Sequence, residues 1–131
     1  MQDRPTPSEV IGSVAAFLKT TVAAQTTGAT SFQARVAANA LEMMQRELDL
    51  APAEDAAEHA RLKTLLGIDG SLFDLNAELC RRIATGEIDA DSPALVEHLW
   101  ATTMAKLAVD QPTYASYRAE LAKRTPPAKE D

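Results

Sequence analysis

Between Ser31 and Leu50 the apolar residues recur at helical spacing. At about 100° per residue, Phe32, Val36, Met43 and Leu50 fall within about 40° of one another. Ala40, Met44, Ala37, Leu48 and Leu41 widen this arc to about half the circumference. A face that wide needs cover on more than one side, which predicts a helix at the centre of a bundle. Ser31 is the expected N-cap, because its hydroxyl oxygen can accept from a free amide of the first turn. Ala34, Ala37, Ala38 and Ala40 are small enough to let neighbouring helices come close. Arg35, Asn39, Glu42 and Arg46 follow one another at i, i+4, i+7 and i+11 along one edge of the arc.

Composition narrows the fold class. The chain has 131 residues, enough for one core. Only 5% of them are aromatic and alanine is abundant, which favours close-packed helices over sheet. The net charge is −6 and the sequence pI is near 4.9, so a phosphate backbone would be repelled. Adjacent basic residues occur only as the isolated pairs Arg81-Arg82 and Lys123-Arg124, and nucleic acid is not an expected partner. The single cysteine, Cys80, cannot form an internal disulfide, which suits a reducing compartment. The opening MQDRPTPSE lacks the basic start and apolar run of a secretory signal, and no apolar stretch is long enough to span a bilayer. A cytoplasmic protein without membrane contact is expected.

The remaining segments also read as helices. Thr6-Pro7-Ser8-Glu9 has the spacing of a capping box with proline at the first helical position. The helix it starts puts Val10, Ile11, Val14, Phe17, Leu18, Thr21 and Val22 on one face and ends near Ala24. The central helix should stop near Leu50, with Pro52 opening a separate, outlying helix over 53–66. Gly67 ends that helix. Ser71 caps a fourth, whose apolar face is Leu72, Leu75, Leu79 and Ile83, with Phe73 and Cys80 alongside. Ser92-Pro93 opens a fifth, expected to bury Leu95, Val96, Leu99, Trp100, Thr103 and Leu107. A short sixth over about 113–123 carries Tyr114, Tyr117 and Leu121. The expected architecture is a single all-α domain over 1–124, a bundle of five to six helices, with a disordered tail at 125–131 rich in proline and charge.

No catalytic motif stands out. His59 and His98 have no second ligand at metal spacing and read as surface or boundary residues. Cys80 lies on the apolar arc and reads as a buried, inert thiol. Asn76 projects between Leu72 and Leu79, where a buried amide needs partners; Asn39 is one candidate. Lys106 projects between Leu95 and Leu99, its stem packed and its ammonium reaching water. No phosphate loop, Ser/His/Asp set or metal motif is present, so no cofactor and no metal is expected.

The opening MQDRPTPSE, the segment FQARVAANALEMMQREL, the phrase LNAELCRRIATGEID and the segment MAKLAVDQPTYASYR together resemble a bacterial family of small helical proteins. That family is known as a domain of unknown function, and it has no established catalytic residues. The resemblance runs from Met1 to about Arg118. It implies genes encoded beside an aminoglycoside-phosphotransferase-like kinase and an acyl-CoA dehydrogenase. Asp3, Arg4, Arg35, Asn39, Asn76 and Lys106 match its shared phrases, whereas Phe32 stands where many relatives are expected to carry His.

Three functions fit these features. The first is a non-catalytic accessory or protein-interaction domain, with the kinase-like protein or the acyl-CoA dehydrogenase as partner. The second is a binding protein or enzyme for a small anionic ligand, with Arg35, Asn39, Asn76 and Lys106 around a polar pocket. The third is a homo-oligomeric scaffold. A pocket reached by all four side chains would favour the second, and a large apolar surface patch the first or third.

Overall fold

In the computed structural model, which describes residues 3–124, Thr6 opens the first helix as its spacing predicts. The Thr6 amide donates to Glu9 Oε2 at 2.7 Å, and the Glu9 amide donates to Thr6 Oγ1 at 3.2 Å. Helix α1 spans Pro7–Phe17, passes into a π-helical segment, Leu18–Val22, and closes with the short α2, Ala23–Gln25. Then follow α3 (Gly28–Leu66), α4 (Leu72–Ala84), α5 (Pro93–Asp110) and α6 (Ala115–Arg124). No strand occurs among the described residues, and the all-α class expected from the sequence is the class observed. The predicted tail at 125–131 lies outside the described residues.

The chain divides into two compact units, Met1–Pro52 and Ala53–Asp131. Helix α3 runs through the division. It is one helix of 39 residues with Pro52 inside it, not two helices separated at Leu50. Proline forfeits one backbone hydrogen bond and crowds the preceding turn. The residues after it, Ala53–Leu66, are mostly Ala, Glu, Leu, Lys and Arg, strong helix formers that carry the helix onward. Its start also differs from expectation. Gly28, at φ 60°, takes the left-handed conformation and begins the helix before Ser31.

The first unit is a helical hairpin built on small residues. A Cβ added at Gly12 would come within 2.7 Å of the Gln45 amide, so α1 and α3 approach closely there. Ala15, Ala23, Ser31, Ala34 and Ala38 are the buried positions. Ser31 is therefore a buried pin rather than a cap. Its hydroxyl donates to the Ala23 carbonyl at 2.8 Å and accepts from Arg35 Nη2 at 2.9 Å. Lys19 pairs with Glu42 across the hairpin at 2.7 Å. The expected apolar face of the first helix is turned: Val10, Val14 and Phe17 are exposed.

The second unit holds the leucine core. Leu62, Leu66, Leu75, Leu79 and Leu95 are buried together, with Leu65, Leu72, Ile83 and Ile88 packed against them. Each fully buried leucine contributes about 1.5–3 kcal/mol. The end of α3 is thus a core element, contrary to the outlying position expected for it. Gly67, at φ 67°, ends it, and Arg82 Nη1 donates to the Leu66 carbonyl at 3.0 Å, satisfying one of the free carbonyls there. Ser71 caps α4 as expected, accepting from the Asp74 amide at 3.1 Å. Cys80 and Phe73 are exposed, not packed, because the buried stripe of α4 is the narrower line through Leu75 and Leu79. On α5 the buried residues are Leu95, His98 and Val109, whereas Val96, Leu99 and Trp100 are exposed. On α6 Tyr117 is buried and Leu121 exposed, and Tyr114, just before the helix, is exposed.

Candidate functional site

Two side chains of the polar strip of α3 have partners within the first unit. Arg35 is exposed and bonds to Ser31, Glu42 is half-buried and pairs with Lys19, and Asn39 is exposed one turn from Arg35. These residues belong to the first unit, whereas Asn76 and Lys106 belong to the second. Asn76 is half-buried and satisfied: its Nδ2 donates to Glu58 Oε1 at 2.8 Å and to the Leu72 carbonyl at 3.1 Å. Lys106 is exposed on α5.

The first unit presents two features of an interaction surface. Its fully buried positions are alanines and a serine; Ile11, Leu18, Val22, Leu41 and Met43 are half-buried, and several other large apolar side chains are exposed. Phe17 is 56% exposed, Phe32 65% and Val36 51%, joined by Val10, Val14, Met44 and Leu48. Gly12 faces Gln45 across the seam between α1 and α3. The same helical arc read from the sequence is present, but its large side chains are uncovered. The small residues beside them make the contact, because only they allow so close an approach.

The second unit contains a cavity of about 550 Å³ between the last turns of α3 and the first turns of α5. Its polar lining is Arg61, Thr64, Glu97 and His98, and Leu65 is among its apolar walls. His98, expected at the surface or its boundary, is only 3% exposed. Burial pushes its imidazole below the ordinary value of 6.5; the nearby Arg61 charge adds to this and Glu58 opposes it. His98 Nδ1, Arg61 Nε and Thr102 Oγ1 are buried without a hydrogen-bond partner. Sequence reasoning missed Arg61 and His98. The available signal was Thr102 four residues after His98, which places two polar groups on the face that Leu95 puts inside.

Together these features define a helical protein with an uncovered apolar hairpin and a separate polar cavity, and no described helix long and apolar enough to cross a membrane. The chain belongs to a family defined as a domain of unknown function, DUF6285, which it matches over residues 24–114. No curated protein and no solved structure matches it.

Proposed function

We propose that this protein is a non-catalytic interaction module and that the outward apolar face of its N-terminal hairpin is the docking surface. The observation behind this reading is the inversion in the first unit: alanines inside, Phe17, Phe32, Val36 and their neighbours outside. Those side chains present on the order of 700 Å² of apolar surface, close to the roughly 800 Å² per partner of a standard interface. A second hairpin of the same kind would cover it and complete a four-helix bundle, so a second copy of the chain is the proposed occupant. The kinase-like protein or acyl-CoA dehydrogenase implied by the family resemblance is the competing occupant, and a cytoplasmic setting accompanies either.

Light scattering after size exclusion tests the assembly. The wild-type chain is expected to run as a dimer, and Phe17→Glu with Val36→Glu as a helical monomer. A wild-type monomer whose stability is unmoved by both substitutions would show that the face needs no cover, and would overturn the reading.

A further inference from the structure

The loop between α3 and α4 holds a reactive backbone step. Asp69-Gly70 is the sole Asp-Gly pair in the sequence, and it lies between Leu66, where α3 ends, and Ser71, which caps α4. The Gly70 amide donates to Asp69 Oδ1 at 2.9 Å, so its nitrogen sits against the carboxyl group of the preceding residue. Both residues are exposed, and the Asp69 side chain is 76% exposed, which leaves it open to solvent water. Glycine has no side chain to shield its nitrogen, and it gives the backbone the freedom that closing a small ring requires.

This arrangement suits succinimide formation. The Gly70 nitrogen attacks Asp69 Cγ; the N–Cγ bond forms and a Cγ–O bond breaks. One water leaves, made of the carboxyl hydroxyl and the amide proton. Solvent water then opens the ring. Addition at Cγ restores aspartate, whereas addition at the main-chain carbonyl of Asp69 leaves the chain running through Cγ, as isoaspartate. The first step needs a protonated carboxyl, because an ionised one has no good leaving group. Lys63 opposes that protonation. Its ammonium pairs with Asp69 Oδ2 at 2.9 Å, and this bond, ahead of the one from the Gly70 amide, holds the carboxyl below the usual carboxylate range.

We propose that Asp69-Gly70 is a site of spontaneous isoaspartate formation and that the Lys63 ion pair restrains it. Isoaspartate inserts one methylene into the main chain just before the Ser71 cap. It displaces Gly70, whose carbonyl accepts from His59 Nε2 at 2.8 Å, so His59 reports the change. The site lies wholly within the second unit and is independent of whatever covers the hairpin.

Prolonged warm incubation of the full chain at mildly acidic pH provides the test, read by peptide mapping and by enzymatic methylation of isoaspartyl carboxylates. Isoaspartate is expected at Asp69 well above its level at the other aspartates, with a matching second set of His59 ring signals in NMR. Lys63→Gln is expected to raise the rate severalfold, in step with the larger protonated fraction. Gly70→Ala is expected to lower it to that of the other aspartates. A Cβ at Gly70 would meet Leu75 at 3.6 Å and Asp74 at 3.8 Å, ordinary contacts that keep the fold. The proposal is overturned if Asp69 gains no more isoaspartate than the other aspartates, if Gly70→Ala gains as much as the wild type, or if Lys63→Gln reacts no faster.

Discussion

At the scale of single residues, His98 separates what a sequence displays from what a fold decides. In the sequence it is one of two histidines, each preceded by a glutamate. In the fold it is buried beside Arg61, and both the lost hydration and the neighbouring cation favour its neutral form. The sign of the pH effect follows. The unfolded chain takes up a proton as pH falls through about 6.5, whereas the folded chain resists until lower pH. His98 therefore contributes stability that is present at neutral pH and lost as pH falls below that value. NMR titration of the two histidine rings checks this: the His98 signals are expected to titrate below 6.5, and a titration at or above it would place the ring in water. Glu78 is the opposite kind of case, a half-buried carboxyl held down to about 2 by hydrogen bonds first from Arg81 and then from Arg82. Its neighbours are three and four residues away on the same helix, so that cluster can be found from spacing alone.

At the scale of elements, periodicity announced the helices but not always the side each would bury. α4 was legible because its apolar residues form one narrow stripe, and Leu75 and Leu79 are buried as that stripe requires. α5 was not, because apolar residues surround it; with Leu95, Val96, Leu99 and Trp100 all available, only the packing chooses Leu95 and His98. In the N-terminal part of α3 the large residues marked one face, yet the small face, through Ala34 and Ala38, makes the contact. That choice also hid the cavity, since Arg61 and His98 fall on phases that the expected faces left outside. Pro52 is the other misreading. A proline within a helix costs about 3 kcal/mol relative to alanine, and Pro52 is exposed, so nothing packed against it offsets this. Pro52→Ala is accordingly expected to stabilise the chain by about 1–3 kcal/mol in denaturant unfolding. A loss of stability would mean that packing around the proline outweighs its cost to the helix.

At the scale of the whole molecule, the large buried side chains are concentrated in the second unit. The second unit encloses all five core leucines, the contacts that join α3 to α4, Arg82 to Leu66 and Asn76 to Glu58, and the bond from His59 to the Gly70 carbonyl in the loop between them. The first has a serine-pinned seam of alanines, and an alanine buries far less apolar surface than a leucine. Two helices joined by such a seam are marginal in water, since most helical stability in proteins comes from tertiary packing of a large apolar face. Large apolar side chains exist here, but Phe17, Phe32 and Val36 among them are exposed. Two fragments test this division. Residues 53–131 alone are expected to remain helical and to melt cooperatively, at a temperature independent of protein concentration. Residues 1–52 alone are expected to gain helix as concentration rises, because association supplies the missing cover. Circular dichroism across a dilution series reads both. Concentration-independent helix in the hairpin fragment would mean that the alanine seam suffices by itself, and the exposed Phe32 and Val36 would then have no energetic reason to find a partner.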